Sequence, residues 1–194
     1  MNLIERVKNI LLTPKTEWDV INGETATPMS LLTGYVLLLA LIPAGCSFLG
    51  AMLFTGGLGW GMKYYITLAI ISYILSVASF FVFTYALDLL ATSFGSEKNI
   101  NKSAQVAAYS STASYVAGIL SIIPFLGILV SLAGAVYAAY LMYLGVGPLK
   151  KTPEDKKVIY VVVVILAVFV AYAIISAILG AVLLASFRTS VLGY

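Results

Sequence analysis

The sequence predicts an all-α polytopic membrane protein with five transmembrane helices and an amphipathic N-terminal segment. Of its 194 residues, 61% are hydrophobic and only 10% are charged, whereas soluble domains carry about 25% charged residues. The apolar residues are also gathered in long runs that polar or glycine-rich stretches separate. A water-soluble domain of this composition would expose an uncharged apolar surface. Lipid is therefore the expected solvent for most of the chain.

Residues 1–30 are predicted to form a cytoplasmic amphipathic segment. Helical spacing places its first apolar residues on one face: Leu3, Val7, Ile10 and Leu11. Thr13 and Pro14 then have the character of an N-cap and a first helical residue. Two interpretations stay open, a helix lying on the membrane surface and a cap packed on the spans. Trp18 suits the membrane–water boundary, because an indole has an apolar body and a polar donor.

Residues 31–187 are predicted to form a five-helix transmembrane domain, and residues 188–194 a short exterior tail. The apolar runs cover residues 31–54, 64–92, 103–121, 125–146 and 158–187, and about 20 such residues cross a bilayer. Pro43 is predicted to kink the first span, chiefly for structural reasons. The third span is the most polar. Its Ser110, Ser114 and Gly118 repeat every four residues, which favours close helix contact.

Basic residues are distributed unequally between the two sides that five spans would create. Nine lie in the N-terminal segment or in the loops after the second and fourth spans: Arg6, Lys8, Lys15, Lys98, Lys102, Lys150, Lys151, Lys156 and Lys157. Only Lys63 and Arg188 lie on the opposite side. Because basic residues concentrate in cytoplasmic loops, we expect a cytoplasmic N-terminus and an exterior C-terminus.

Asp88 is the only acidic residue inside any apolar run. A carboxylate in hydrocarbon costs roughly 2.5–3.5 kcal/mol and usually faces a partner or water. One interpretation is a proton, cation or solute site. The favoured one is a structural contact at the cytoplasmic rim, with Lys102 as the ion-pair partner or with hydrogen bonds to nearby hydroxyls. The candidate intramembrane polar site therefore comprises Asp88, Lys102, Tyr109, Ser110 and Thr112.

Two further groups of residues have alternative interpretations. Five tyrosines of the third and fourth spans either line a polar cavity or serve as anchors and interhelical donors: Tyr109, Tyr115, Tyr137, Tyr140 and Tyr143. The loop 150–157 either binds anionic lipid headgroups or only determines topology. Its candidate headgroup contacts are Lys150, Lys151, Lys156 and Lys157.

Five stretches of the chain carry a resemblance to a known family: ERVKNILLTPKTEWDVI (5–21), GYVLLLALIPA (34–44), DLLATSFG (88–95), AAYSSTASYVAGIL with IIPFLG (107–127) and YLMYLGVGPLKKTPEDKK (140–157). They resemble bacterial members of the Yip family, the Ypt/Rab-interacting membrane proteins, over nearly the whole chain. The resemblance implies five membrane helices, the same terminal orientation and a bacterial inner-membrane location. Bacterial relatives commonly have threonine–proline where this chain has Thr112 and Ala113, so the family's kink lacks its proline here.

The sequence predicts a non-enzymatic membrane scaffold or adaptor that acts through its cytoplasmic face. Expected partners are membrane lipids, a membrane or cytoplasmic protein and further copies of the chain. Nucleic acid is not expected at a net charge of +3. The alternative is a small-solute or ion carrier that uses Asp88 and the tyrosine-lined cavity. An intramembrane enzyme is least favoured, because the chain has no histidine and one intramembrane carboxylate cannot supply a catalytic pair. No cofactor or metal is predicted.

Overall fold

The computed structural model describes residues 2–55 and 61–192, and within these ranges the chain is helical. Two short helices come first, α1 (Leu3–Leu12) and α2 (Pro14–Asn22). The others are α3 (Pro28–Leu31), α4 (Leu37–Thr55), α5 (Gly61–Leu90), α6 (Ile100–Ser110), α7 (Thr112–Ala117), α8 (Pro124–Lys150) and α9 (Glu154–Leu192). A π-helical turn (Leu32–Val36) joins α3 to α4, and 3₁₀ turns (Ala91–Phe94 and Gly118–Ile122) follow α5 and α7.

Four helical stretches in the described ranges are long and apolar enough to cross a membrane: Pro28–Phe54, Met62–Phe94, Phe125–Lys150 and Glu154–Ile178. Their outward side chains, among them Leu129, Val136 and Leu166, are large, apolar and exposed. An apolar exterior of this extent requires lipid rather than water. The polytopic membrane character is thus confirmed. The prediction of five transmembrane helices is wrong, because the third predicted span is not a continuous helix.

Serine side chains bond to the backbone at the point where that third segment is interrupted. Ser110 and Ser111 donate their hydroxyls to the carbonyls of Val106 (2.6 Å) and Ala107 (2.7 Å), four residues back. Such back-bonding competes with the helical ladder and bends helices. The break between α6 and α7 thus falls at Ser111 without the proline common in relatives. A third hydroxyl bond, from Ser121 to the Gly118 carbonyl (2.6 Å), accompanies the 3₁₀ turn.

The interrupted segment, residues 100–122, nevertheless follows α8 from end to end. At its start, the Ser103 hydroxyl lies 2.7 Å from Nζ of Lys150, the last residue of α8. At its finish, Ile123 immediately precedes Pro124, the first residue of α8. The helix α8 has 27 residues and is therefore about 40 Å long. Since every residue from Ser103 to Ser110 is buried, this segment forms the centre of the bundle.

The first two helices, α1 and α2, form a cap that packs on the bundle; we call them the N-terminal cap. Ile10, Trp18 and Ile21 are fully or almost fully buried within the main core. Trp18 lies over Gly145 of α8 so closely that a Cβ on that glycine would be 2.8–2.9 Å from the indole ring. The indole is therefore buried against a helix. The geometry agrees with a cap packed on the spans.

Candidate functional site

Asp88 lies at the end of α5 and forms an ion pair with Lys150 at the end of α8. The Lys150 ammonium, which is 0% exposed, lies 3.5 Å from Asp88 Oδ1. It also donates to the Ser103 hydroxyl (2.7 Å) and to the Asn99 carbonyl (3.4 Å). Ser103 in turn donates to Asp88 Oδ1 at 3.2 Å. The cluster pairs the two buried charges, which offsets part of the penalty for burying either alone.

Two loops close around this ion pair. The backbone N–H of Glu97 donates to the Lys150 carbonyl (2.7 Å), and the hydroxyls of Ser96 and Thr152 are hydrogen-bonded at 2.9 Å. Gly95 has a positive φ of 69°, a conformation that glycine adopts without steric cost, and a Cβ added to it would lie 3.5 Å from the Pro153 ring. Two of the stretches that carry the family resemblance, 88–95 and 140–157, thus meet in space and form one joint.

The candidate polar site of the sequence is divided between two places. The ion-pair partner of Asp88 is Lys150 rather than the predicted Lys102. The Lys102 ammonium instead donates to the carbonyls of Asn22 (2.7 Å) and Glu24 (3.3 Å). Burial of this ammonium lowers the pKa of Lys102, and the nearby carboxylate of Glu24 opposes that shift. Lys102 therefore ties the start of α6 to the N-terminal cap.

The remaining members of the predicted site also lie away from Asp88. The Ser110 hydroxyl is used within its own helix. The Thr112 and Tyr35 hydroxyls are hydrogen-bonded at 2.6 Å. Tyr109 packs edge-on against Tyr35, with 5.0 Å between the ring centroids, and it faces the N-terminal cap.

The four lysines of the loop 150–157 have different environments. Lys150 is buried in the ion pair, so it does not reach a headgroup. Lys151 is exposed and pairs with Glu97 at 2.9 Å; this hydrogen bond lowers the pKa of Glu97 and raises the pKa of Lys151. Lys157 pairs with Glu154 at 2.5 Å. Lys156 is exposed. Headgroup binding by Lys151, Lys156 and Lys157 remains a prediction.

A second buried charge cluster fastens the N-terminal cap. The Arg6 guanidinium donates to Glu17 Oε1 of α2 at 2.6 Å and to Glu24 Oε1, and both Arg6 and Glu17 are nearly fully buried. Its guanidinium carbon lies 5.2 Å from the centre of the Tyr109 ring, a cation–π distance. We call Arg6, Glu17 and Glu24 the clasp. In the sequence, the clasp is visible only as opposite charges on two short helices that are joined at Thr13. Such charges are too common for these residues to be predicted as a buried cluster.

Replacing Arg6 by methionine is expected to release the N-terminal cap without unfolding the bundle. Glu17 would be left buried without its cation, and a displaced cap returns it to water. Trypsin cleavage after Lys15 should then accelerate about tenfold, which corresponds to about 1.4 kcal/mol of local opening. Lys8→Met, which removes an exposed cation from the same helix, should leave cleavage after Lys15 unchanged. Equal rates in the two variants would contradict the role of the clasp.

The five candidate tyrosines do not line one common cavity. Tyr137 donates to the Leu11 carbonyl (2.6 Å) and so anchors the N-terminal cap. Tyr143 lies beneath the Lys157 ammonium at 5.9 Å, and Tyr140 stacks at a tilt near Tyr137. Only Tyr115 among them borders the cavity in the middle of the bundle. The anchoring interpretation therefore describes Tyr137 best.

Comparison with known proteins relates the chain to one family. A family model described as the Yip1 domain matches residues 8–177. Two relatives carry the name "Inner membrane protein YohC", one from Escherichia coli strain K12 and one from Escherichia coli O6:H1 strain CFT073. Each is 27% identical to this chain over 145 residues, which covers 69% of this chain and 72% of the relative. No solved structure matches significantly.

Proposed function

The chain belongs to the Yip1 domain family, and we propose that it is a non-enzymatic scaffold or adaptor of the bacterial inner membrane. It engages a protein partner through the outer face of the N-terminal cap. The inner-membrane location is inferred from the name of the Escherichia coli relatives. Further copies of the chain are a second class of partner, since Ala173 and Ala177 of α9 leave small residues on the exposed surface.

The outer face of α1 carries this proposal. Ile4 and Leu12 are 73% and 69% exposed, and Lys8 lies between them on the same helical stripe. The clasp holds α1 in one orientation, so these apolar side chains form a preorganised surface. Exposed apolar residues beside a charge, on a rigid element, are typical of protein-binding surfaces.

The N-terminus is proposed to be cytoplasmic and the C-terminus exterior. The N-terminal cap, the loop 95–99 and the loop 150–153 meet at one end of the bundle and carry most of the basic residues. This orientation does not require a fifth long helix, because residues 100–122 return along the whole length of α8.

The carrier alternative has less support. Asp88 is paired with Lys150 and hydrogen-bonded to Ser103, and it borders neither of the two larger cavities described, near 370 and 560 Å³. A carrier would need this carboxylate to meet a water-filled path. The pairing instead suits a joint that holds helix ends together.

A photoreactive amino acid placed at Leu12 tests the scaffold proposal. On illumination of cells of the native host, Leu12→benzoylphenylalanine is expected to form a covalent adduct with a specific protein, because this side chain faces outward from the N-terminal cap. Introducing Lys8→Glu beside it should reduce the adduct. As a matched control, the same amino acid at Ile74 of α5, which faces outward within a span, should capture lipid alone.

Two outcomes would contradict the proposal. Lipid adducts alone at Leu12 would mean that the N-terminal cap lies on the membrane surface. Protein adducts that Lys8→Glu does not affect would mean that the capture is unspecific. Orientation is read separately from Leu12→Cys, which a membrane-impermeant maleimide should label in inverted vesicles but not in intact cells.

A further inference from the structure

A cavity of about 370 Å³ lies between α5, α7, α8 and α9, away from both charge clusters. Ser76 and Ser79 of α5, Ala135 and Ala139 of α8, and Phe169 of α9 border it. These residues belong to the central turns of their helices, since Ser79 lies about 14 Å along α5 from Asp88 at 1.5 Å per residue. The cavity is therefore at the middle of the bilayer, about 15 Å from either edge of the hydrocarbon core.

Residues whose hydroxyl groups have no partner among the described residues border this cavity. Tyr115 is only 8% exposed, yet no described residue forms a hydrogen bond with its hydroxyl. Ser76, Ser79 and Ser114 also border the cavity, and their hydroxyls have no such bond among the described residues. In the same bundle, Ser72 and Thr84 satisfy theirs on their own helix. Unpaired hydroxyls are costly in hydrocarbon, so this arrangement indicates a ligand that supplies acceptors.

Depth and charge restrict what the ligand is. Among the residues that the structure describes, no charged side chain borders the cavity, so the ligand is neutral. Phospholipid ester groups lie at the edges of the hydrocarbon core and do not reach the middle without distortion. The ligand must instead be an apolar molecule that carries hydrogen-bond acceptors into the bilayer centre. The volume lies at the lower end of the range of about 300–1,000 Å³ for small-molecule sites.

We propose that this cavity binds the ring of a membrane-dissolved isoprenoid quinone, a neutral planar ring with two carbonyl acceptors. The Tyr115 and serine hydroxyls donate to the carbonyls, and Phe83 and Met142 pack against the ring. Small side chains at Ala135 and Ala139 leave the space that the ring occupies. Phe169 and Tyr172, both exposed on the outer side of α9, border the opening through which the tail extends into lipid.

The proposal is tested with an azido derivative of a short-chain ubiquinone on the full chain in nanodiscs. Illumination should label peptides that contain residues 76–83, 111–115 or 165–172. Tyr115→Phe should reduce labelling about tenfold, the loss expected for one hydrogen bond in a dry site. Ala139→Leu should reduce it by filling the ring's space. Tyr85→Phe, which removes an exposed hydroxyl from the outer face of α5, should have no effect.

Melting temperatures in detergent are compared alongside, so that a fall in labelling is not mistaken for unfolding. If Ala139→Leu does not fold, Tyr115→Phe still tests the proposal, because it removes only the hydroxyl oxygen. Equal labelling of Tyr115→Phe and the unaltered chain would overturn the proposal, as would labels spread over the lipid-facing surface. Displacement by diacylglycerol but not by unlabelled decylubiquinone would assign the cavity to a lipid and equally overturn it.

Discussion

Replacing Lys150 by methionine is expected to lower the free energy of unfolding by about 3–5 kcal/mol, the range for removing one partner of a buried ion pair. The substitution leaves Asp88, itself only 8% exposed, with the Ser103 hydroxyl as its remaining side-chain partner. It also removes the bond to the Asn99 carbonyl. The measurement is denaturant unfolding in mild detergent, followed by circular dichroism.

The neighbouring lysine provides the control. Lys151 pairs with Glu97 at the surface, where both side chains are largely exposed, and such pairs contribute at most about 1 kcal/mol. Lys151→Met should therefore be nearly silent. If the two methionine variants unfold alike, the Asp88–Lys150 pair is not what holds the joint together.

A double variant distinguishes the loss of the pair from the loss of packing. In Asp88→Asn combined with Lys150→Met, no uncompensated charge remains buried. This variant should be more stable than Lys150→Met alone, because most of the penalty for breaking a buried pair comes from the partner left behind. A double variant that is as unstable as the two single variants combined would show that the charges do not act on one another.

The four long apolar helices were predictable from the sequence, whereas the interrupted segment between them was not. About 20 apolar residues in succession have one stable environment, a bilayer, so composition alone indicates the four long helices. Residues 103–121 are less hydrophobic than these helices, because serines, a threonine and tyrosines interrupt their apolar residues. Some of these serines bond to the backbone, and residues 103–110 are buried in the centre of the bundle. A helix surrounded by protein needs no lipid-facing side, and length and apolarity therefore do not reveal where it breaks.

The partner of Asp88 was unpredictable for a related reason. Lys102 is near it along the chain, whereas Lys150 is 62 residues away. Which lysine pairs with Asp88 depends on how loops 95–99 and 150–153 pack against each other, and this packing is set by tertiary contacts. Both regions belong to the stretches that carry the family resemblance, although the resemblance gave no sign that they meet. Arg6 and Glu17 were likewise unremarkable in sequence, because burial is what distinguishes this pair from ordinary surface charges.

Close backbone contact is what orients the interrupted segment against the first span. Gly118 of the 3₁₀ turn packs on Pro43, so that a Cβ there would be 2.6 Å from the proline Cβ. Gly50, seven residues further along α4, packs on the backbone of Ile122, so that a Cβ there would be 2.8 Å from the Ile122 carbonyl carbon. Contacts of this kind between small residues allow van der Waals packing that larger side chains prevent, and in lipid such packing is a principal source of helix association.

Gly50→Ala is accordingly expected to destabilise the protein by about 3 kcal/mol, near the upper end of the usual cost of overpacking. The added Cβ would lie 2.8 Å from the carbonyl carbon of Ile122 and 2.9 Å from its Cα. These are backbone atoms that cannot rotate away, so the 3₁₀ turn must separate from α4. The measurement is again unfolding in detergent, compared with the yield of monodisperse protein.

Gly45→Ala is the matched control, since it makes the same substitution in the same helix. No atom outside its own helical surroundings lies within 4 Å of the Cβ that this change would add. Alanine is favoured over glycine inside a helix by about 1 kcal/mol, so Gly45→Ala should be neutral or slightly stabilising. A destabilisation common to both variants would mean that α4 needs glycine for its own conformation, whereas a loss confined to Gly50→Ala locates the requirement in the contact with Ile122.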